Sequence, residues 1–199
     1  TEYYKVSNLE NYDEVLRAVA FFTHKYGKID WLESNNEYWL VQDSRLRSDF
    51  NITTGIKSDK IANIKEKSKM KKAYKKGEIP AADFSLVTTY EKAKKFIDKV
   101  GYPVVVKPDN GVGASDTRKI NNEKELKEFF ETRNENVKYI MEEYVDGDLV
   151  SYDAVIDSNG NPIFETGIVE PAVMDIVNEK LDVFYYVEKE MPEKLLDAG

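Results

Sequence analysis

Twice between Ser85 and Tyr144 a short apolar run leads into a capped amphipathic helix and then into a second apolar run, and no other feature narrows the fold as much. In the first unit, residues 85–87 form a strand, Thr88 with Glu91 makes a capping box, and Ala93, Phe96, Ile97 and Val100 fall on one helical face. Gly101 ends that helix, and residues 102–107 follow as the next strand. In the second unit, residues 117–120 form the strand, Asn122 with Glu125 makes the box, and Leu126, Phe129 and Phe130 give the apolar face. Residues 137–144 close the unit as its last strand. Strands each tied to a helix make a small α+β layer, and the loop joining the two units lies at its edge, free to act as a flap.

That joining stretch, residues 102–115, reads Tyr-Pro-Val-Val-Val-Lys-Pro-Asp-Asn-Gly-Val-Gly-Ala-Ser. Its apolar run suits a buried strand that delivers Lys107 to the mouth of the loop, and Pro108 cannot continue the ladder. Gly111 and Gly113 tolerate backbone angles other residues avoid, and with Ala114 and Ser115 they leave peptide N–H groups uncovered for an anion. The lysine supplies charge and the loop supplies donors, which suits a phosphate group. Taken alone, the same stretch is also an ordinary turn after a strand with a solvated lysine. Small residues bury little, so mobility is expected from Asp109 to Asp116.

Before these units, Asn11 with Glu14 starts a helix whose Val15, Ala18, Val19 and Phe22 share a face, and Gly27 stops it. Residues 29–32 are expected as a short strand, the tail of an α/β unit. Residues 37–51 mix aromatic and charged side chains and are expected to be irregular with some helix. Ser58-Asp59 is expected to cap a lysine-rich helix over residues 60–75, with Ile61, Ile64, Met70 and Ala73 as a partial apolar stripe and the lysines as a solvated face. Trp31 and Trp39 are expected to pack, and His24 to be a surface residue. After Asp148 the period changes to two, with Ser158-Asn159-Gly160-Asn161 as a hairpin turn and residues 162–169 as the returning strand. Beyond residue 171 only a short helix near 192–196 is expected.

Composition narrows the function. With 199 residues and 41% hydrophobic content the chain can bury a real core, and with no cysteine it has neither disulfide nor thiol nucleophile. A net charge of −8 argues against a nucleic-acid-binding protein, and Tyr74 alone among the lysines of residues 57–76 is too little for base stacking. No apolar run is long enough to span a bilayer and the first residues carry no signal-peptide pattern, so no membrane contact is expected and a cytoplasmic location is the default. A start without methionine and an end at a bare Gly199 suggest a piece of a longer protein.

Lys107 before its loop of small residues, the upstream Asp59-Lys60, and Met-Glu-Glu-Tyr-Val-Asp-Gly-Asp at residues 141–148 together resemble the ATP-grasp superfamily over about residues 57–168. It includes biotin carboxylase, carbamoyl-phosphate synthetase, D-alanine ligase and many carboxylate–amine ligases. The resemblance implies an α+β fold in four parts. They are the end of a preceding α/β domain at 1–56, a helical linker at 57–84, a lid subdomain at 85–144, and the start of an antiparallel-sheet subdomain at 145–199.

The resemblance also implies roles. Lys60 and Lys107 would hold the α- and β-phosphates of ATP, and Gly111, Gly113, Ala114 and Ser115 would close over the β- and γ-phosphates. Glu142 and the Glu143 carbonyl would accept from the exocyclic amine of adenine, the Val145 N–H would donate to the ring, and Asp148 would bind the ribose hydroxyls. No side chain is implied as a nucleophile. The acidic ligands of Mg2+ would lie beyond residue 199, so this chain is expected to bind ATP without turnover while its parent activates a small carboxylate for attack by an amine. A homodimer is compatible with this reading. Glu33, Asp153 and Glu170 are candidates for a substrate pocket, though an ordinary surface place is the stronger reading for each. The alternative function is a nucleotide-binding module of the same fold without catalysis.

Overall fold

The computed structural model describes residues 1–111, 116–171, 182 and 184–198. The chain divides into two compact units, Thr1–Glu142 and Glu143–Gly199.

The first unit begins with helix α1 (Tyr12–Tyr26), whose N-cap Asn11 accepts the Glu14 N–H and whose C-cap Gly27 sits at φ +86°. Residues 29–32 form no strand. Their carbonyls are taken by side chains instead: the Arg47 guanidinium donates to Leu32 (2.7 Å) and the Thr54 hydroxyl to Asp30. Trp31 is 68% exposed, contrary to the expectation that it packs. The stretch expected to be irregular with some helix is helical nearly throughout, a 3-10 turn, Glu37–Trp39, running into α2 (Leu40–Asp49). The aromatic–charged mixture hid this helix because what it buries includes Asp43, Ser44 and Arg47.

The lysine-rich segment is two helices, α3 (Ala62–Lys65) and α4 (Lys67–Lys76), broken where Glu66 takes an extended conformation (φ −92°, ψ 113°). Ser58 caps neither, since its N–H and hydroxyl bond the Ser48 Oγ. Of the expected stripe Ile61 is buried and Ile64 exposed.

The β-α-β-β-α-β order is then as the two units demand: β1 (Phe84–Val87), α5 (Tyr90–Val100), β2 (Val104–Pro108), β3 (Arg118–Ile120), α6 (Glu123–Thr132) and β4 (Tyr139–Glu143). The strands form one sheet in the order β1-β4-β2-β3, with β1–β4 and β2–β3 antiparallel. Asn122 caps α6 as expected, but α5 is capped by Thr89 rather than Thr88, with the Lys92 N–H on its hydroxyl. Val104, Val106, Tyr139 and Met141 face Phe96, Ile97, Leu126 and Phe129 of the two helices in one core. Successive strand side chains point to opposite faces, so Lys107 and Glu142 lie on the side away from α5 and α6.

In the second unit β5 (Leu149–Ile156) and β6 (Pro162–Glu170) form the expected hairpin. Asp157 accepts the Asn159 and Asn161 N–H groups on Oδ1, and Gly160 sits at φ +85°. A two-residue strand β7 (Tyr186–Val187), too short to show a period, pairs with β6. Helix α7 (Glu193–Ala198) approaches β6 so closely that a Cβ on Gly167 would lie 2.7 Å from Leu195 Cδ2.

Phe129 is 1% exposed and meets Tyr139 edge-on at 5.3 Å. Phe129→Ala is expected to destabilise the first unit by about 3–5 kcal/mol, the usual cost of a large cavity in a packed core, seen as a lower urea midpoint. A loss below about 1 kcal/mol would contradict this core.

Candidate functional site

On the face of the sheet opposite α5 and α6, Lys107 at the end of β2 pairs with Glu142 of the neighbouring β4, Nζ to Oε2 at 2.8 Å. Lys71 on α4 approaches the other carboxylate oxygen at 3.5 Å and donates to the Ala82 carbonyl at 3.1 Å. Glu142 is 7% exposed, and its Oε1 accepts no hydrogen bond. One buried carboxylate therefore serves two cations and keeps an acceptor in reserve.

Lys67 and Lys71 are four residues apart on α4 and so share a face. Lys67 donates to the Gly111 carbonyl at 3.0 Å, at the start of the glycine loop. Burial pulls its ammonium below the ordinary lysine range, and repulsion from Lys107 adds to the effect. Two ammonium groups that feel each other beside a loop of small residues form an anion-seeking arrangement.

The loop is pinned at both described ends. Asp109 is 0% exposed, accepts the Ser68 N–H on Oδ1 at 2.7 Å and the Ser68 hydroxyl on Oδ2 at 2.8 Å, and pairs with Lys138 Nζ at 2.8 Å. Burial pushes its carboxyl up, but the bonds from Lys138 and Ser68 outweigh it and hold the group below the usual aspartate range. At the other end Asp116 accepts from the Tyr139 hydroxyl and pairs with Arg118.

The structure pairs Lys107 with Glu142 in the first unit, and Gly111 there accepts from Lys67. Lys60 lies in an exposed turn ahead of α3, and the helical lysine that reaches the loop is Lys67, which the sequence reading missed. Its signal was the Lys67–Lys71 spacing around Ser68, obscured by treating all the lysines as one solvated face. Lys65 also turns inward, 9% exposed, onto Glu37. Gly113, Ala114 and Ser115 lie outside the described residues. Glu143 ends β4, and Val145 and Asp148 are exposed in the segment that opens the second unit. Among the described residues no group of three or more His, Cys, Asp or Glu side chains is placed to hold a metal ion.

Residues 65–170 match the family model of the phosphoribosylglycinamide synthetase ATP-grasp (A) domain. The carbamoyl phosphate synthase large chain of Agathobacter rectalis is 29% identical over 119 residues, 58% of this chain and 11% of that protein. The L-arginine-specific L-amino acid ligase of Bacillus subtilis is 32% identical over 103 residues, 52% of this chain and 25% of that protein. Among solved structures, D-alanine–D-alanine ligase from Bacillus anthracis complexed with ATP superposes with a TM-score of 0.62 at 19% identity, over 89% of this chain and 58% of that one. The chain thus spans a quarter or less of the length of these two curated relatives.

Removing Glu142 leaves Lys71 and Lys107 facing each other without their shared anion. Glu142→Ala is expected to cost about 3 kcal/mol in urea unfolding, as when a buried pair loses one partner. Adding Lys107→Met is expected to recover at least half of that loss, and additive losses would show that the two side chains are not coupled.

Proposed function

We propose, starting from a chain that belongs to the ATP-grasp family, that Lys67 and Lys107 hold the phosphates of ATP while the loop from Gly111 to Ser115 covers them through its N–H groups. One observation carries this reading: Lys67 is half-buried beside Lys107, with its ammonium held below the ordinary range by burial and by that second charge. A phosphate between them would relieve the repulsion and supply the missing counter-charge. In this reading Lys67 takes the role that the resemblance implied for Lys60, since Lys67 donates to the Gly111 carbonyl.

In the same reading Glu142 and the Glu143 carbonyl accept from the exocyclic amine of adenine. The buried Oε1 of Glu142, which lies 3.5 Å from Lys71 Nζ but accepts no hydrogen bond, has acceptor capacity for that role. Val145 N–H donates to the ring, and Asp148 binds the ribose hydroxyls. The parent protein would transfer the γ-phosphoryl group to a small-molecule carboxylate, giving ADP and an acyl phosphate. An amine would then attack the acyl carbon and release phosphate. Positioning and charge stabilisation supply the rate, and the loop keeps water from the acyl phosphate. Magnesium, when bound, would offset charge on the phosphoryl oxygens.

Calorimetric titration with a non-hydrolysable ATP analogue and magnesium tests the site. Lys67→Ala and Lys107→Ala are each expected to weaken binding about tenfold or more, equivalent to about 1.4 kcal/mol per lost charge-assisted contact, whereas Lys76→Ala at the exposed end of α4 leaves it unchanged. A folded chain that binds no nucleotide would remove the reading. For the longer parent protein, phosphate release from ATP that requires both a carboxylate and an amine separates a ligase from a binding module.

A further inference from the structure

We infer that Asp109 is a positioning residue that sets Lys67 in the phosphate site by capping helix α4 from the residue that follows β2. The inference rests on the assignment of Lys67 to phosphate, and it explains how a lysine on a separate helix is held in register with the strand that carries Lys107.

The helix needs such a cap. A helix leaves its first N–H groups without internal partners, and residue Glu66, which precedes α4, makes no side-chain capping bond. The Lys69 N–H is taken by the Glu66 carbonyl, and the first two N–H groups, of Lys67 and Ser68, are both taken by Asp109. Its carbonyl accepts the Lys67 N–H at 2.9 Å, Oδ1 accepts the Ser68 N–H at 2.7 Å, and Oδ2 accepts the Ser68 hydroxyl at 2.8 Å. A capping aspartate ordinarily sits next to its helix in sequence, whereas this one is 41 residues from Ser68.

Asp109 is itself held on the far side. Its N–H donates to the Lys138 carbonyl at 2.8 Å and its carboxylate pairs with Lys138 Nζ, which also reaches Glu66 at 3.1 Å. Both Asp109 and Ser68 are buried, at 0% and 2% exposure. Since Asp109 follows Lys107 by two residues, one short segment fixes the end of β2, the first turn of α4 and the start of the loop. Movement of that first turn would carry Lys67 Nζ away from Gly111.

Electrostatics favours the same assignment. A fixed negative charge close to a phosphate site opposes phosphate binding, so Asp109 cannot be there as a ligand. Lys138 neutralises it from outside, and the partial positive charge at the helix N-terminus is directed at the carboxylate. The N-terminus of α4 is therefore already occupied and closed to phosphate. What remains for the nucleotide from this helix is the Lys67 ammonium.

The test is a double-mutant cycle on the whole chain, with ADP and magnesium as the titrant. Asp109→Ala is expected to weaken ADP about tenfold, and Asp109→Asn, which keeps a capping oxygen, to stay within about threefold of the unmodified chain. In the Lys67→Ala background the Asp109→Ala change is expected to cost nothing further, because Lys67 is what it positions. Losses that multiply in the double variant would overturn the inference, as would unchanged affinity in Asp109→Ala. Should Asp109→Ala not fold, Ser68→Ala, which removes only the hydroxyl bond, carries the same cycle with an expected two- to threefold weakening.

If the unmodified chain binds no ADP, the nucleotide reading fails and the positioning role is decided without a ligand. NMR titration of the lysine ammonium, assigned through Lys67→Arg, is the readout. Loss of the Asp109 charge alone would lower the Lys67 value further, whereas release of Lys67 from its buried place would raise it toward ordinary lysine. A rise in Asp109→Ala or Ser68→Ala supports positioning, and a fall or no change overturns it.

Discussion

The strict alternation of side chains along β2 and β4 decides where chemistry can happen in the first unit. Val104 and Val106, with Tyr139 and Met141, enter the core under α5 and α6. The residues between and after them must face the other way, and Glu142 and Lys107 are among them. A slip of one residue in β2 would drive the ammonium of Lys107 into the space beside Phe129 and Leu126, where an unpaired charge costs far more than the strand can recover. The apolar packing of one face thus dictates the polar content of the other, and the site inherits its rigidity from the core behind it.

That face is unusual in its charge balance. Lys138 is served by Asp109 and Glu66, and Lys71 and Lys107 share the carboxylate of Glu142. Lys67 has no carboxylate within salt-bridge distance among the described residues and bonds a carbonyl instead. Partly buried ammonium groups are held at a cost unless something compensates them, and the proteins that tolerate this gain function from it. In the proposed site the compensation comes from the triphosphate, so cost in the empty state becomes affinity in the bound one.

What the sequence made legible was local. The hairpin of β5 and β6, the apolar stripes of α5 and α6 and the caps at Asn11 and Asn122 depend on neighbours within a few residues, and all are as expected, whereas the side chains of β5 show no alternation of burial. Thr88 and Thr89 were indistinguishable, since either hydroxyl could reach the third N–H and only the backbone geometry of Thr89 decides. The strand expected at residues 29–32 failed for a nonlocal reason, as its carbonyls are claimed by Arg47 and Thr54. Lys107 was legible because the end of a strand places it; Lys67 was not, because the break at Glu66 and the start of α4 are made by Asp109 from a distant part of the chain.

The segment Lys107-Pro108-Asp109-Asn110-Gly111 therefore does three things that a linear reading assigns to one. Lys107 ends the strand with a charge, Asp109 closes the N-terminus of a helix lying elsewhere in sequence, and Gly111 offers its carbonyl to the lysine which that helix presents. Because Asp109 is buried and bonded through its N–H, carbonyl and carboxylate, the turn between Lys107 and Gly111 cannot shift without taking α4 with it.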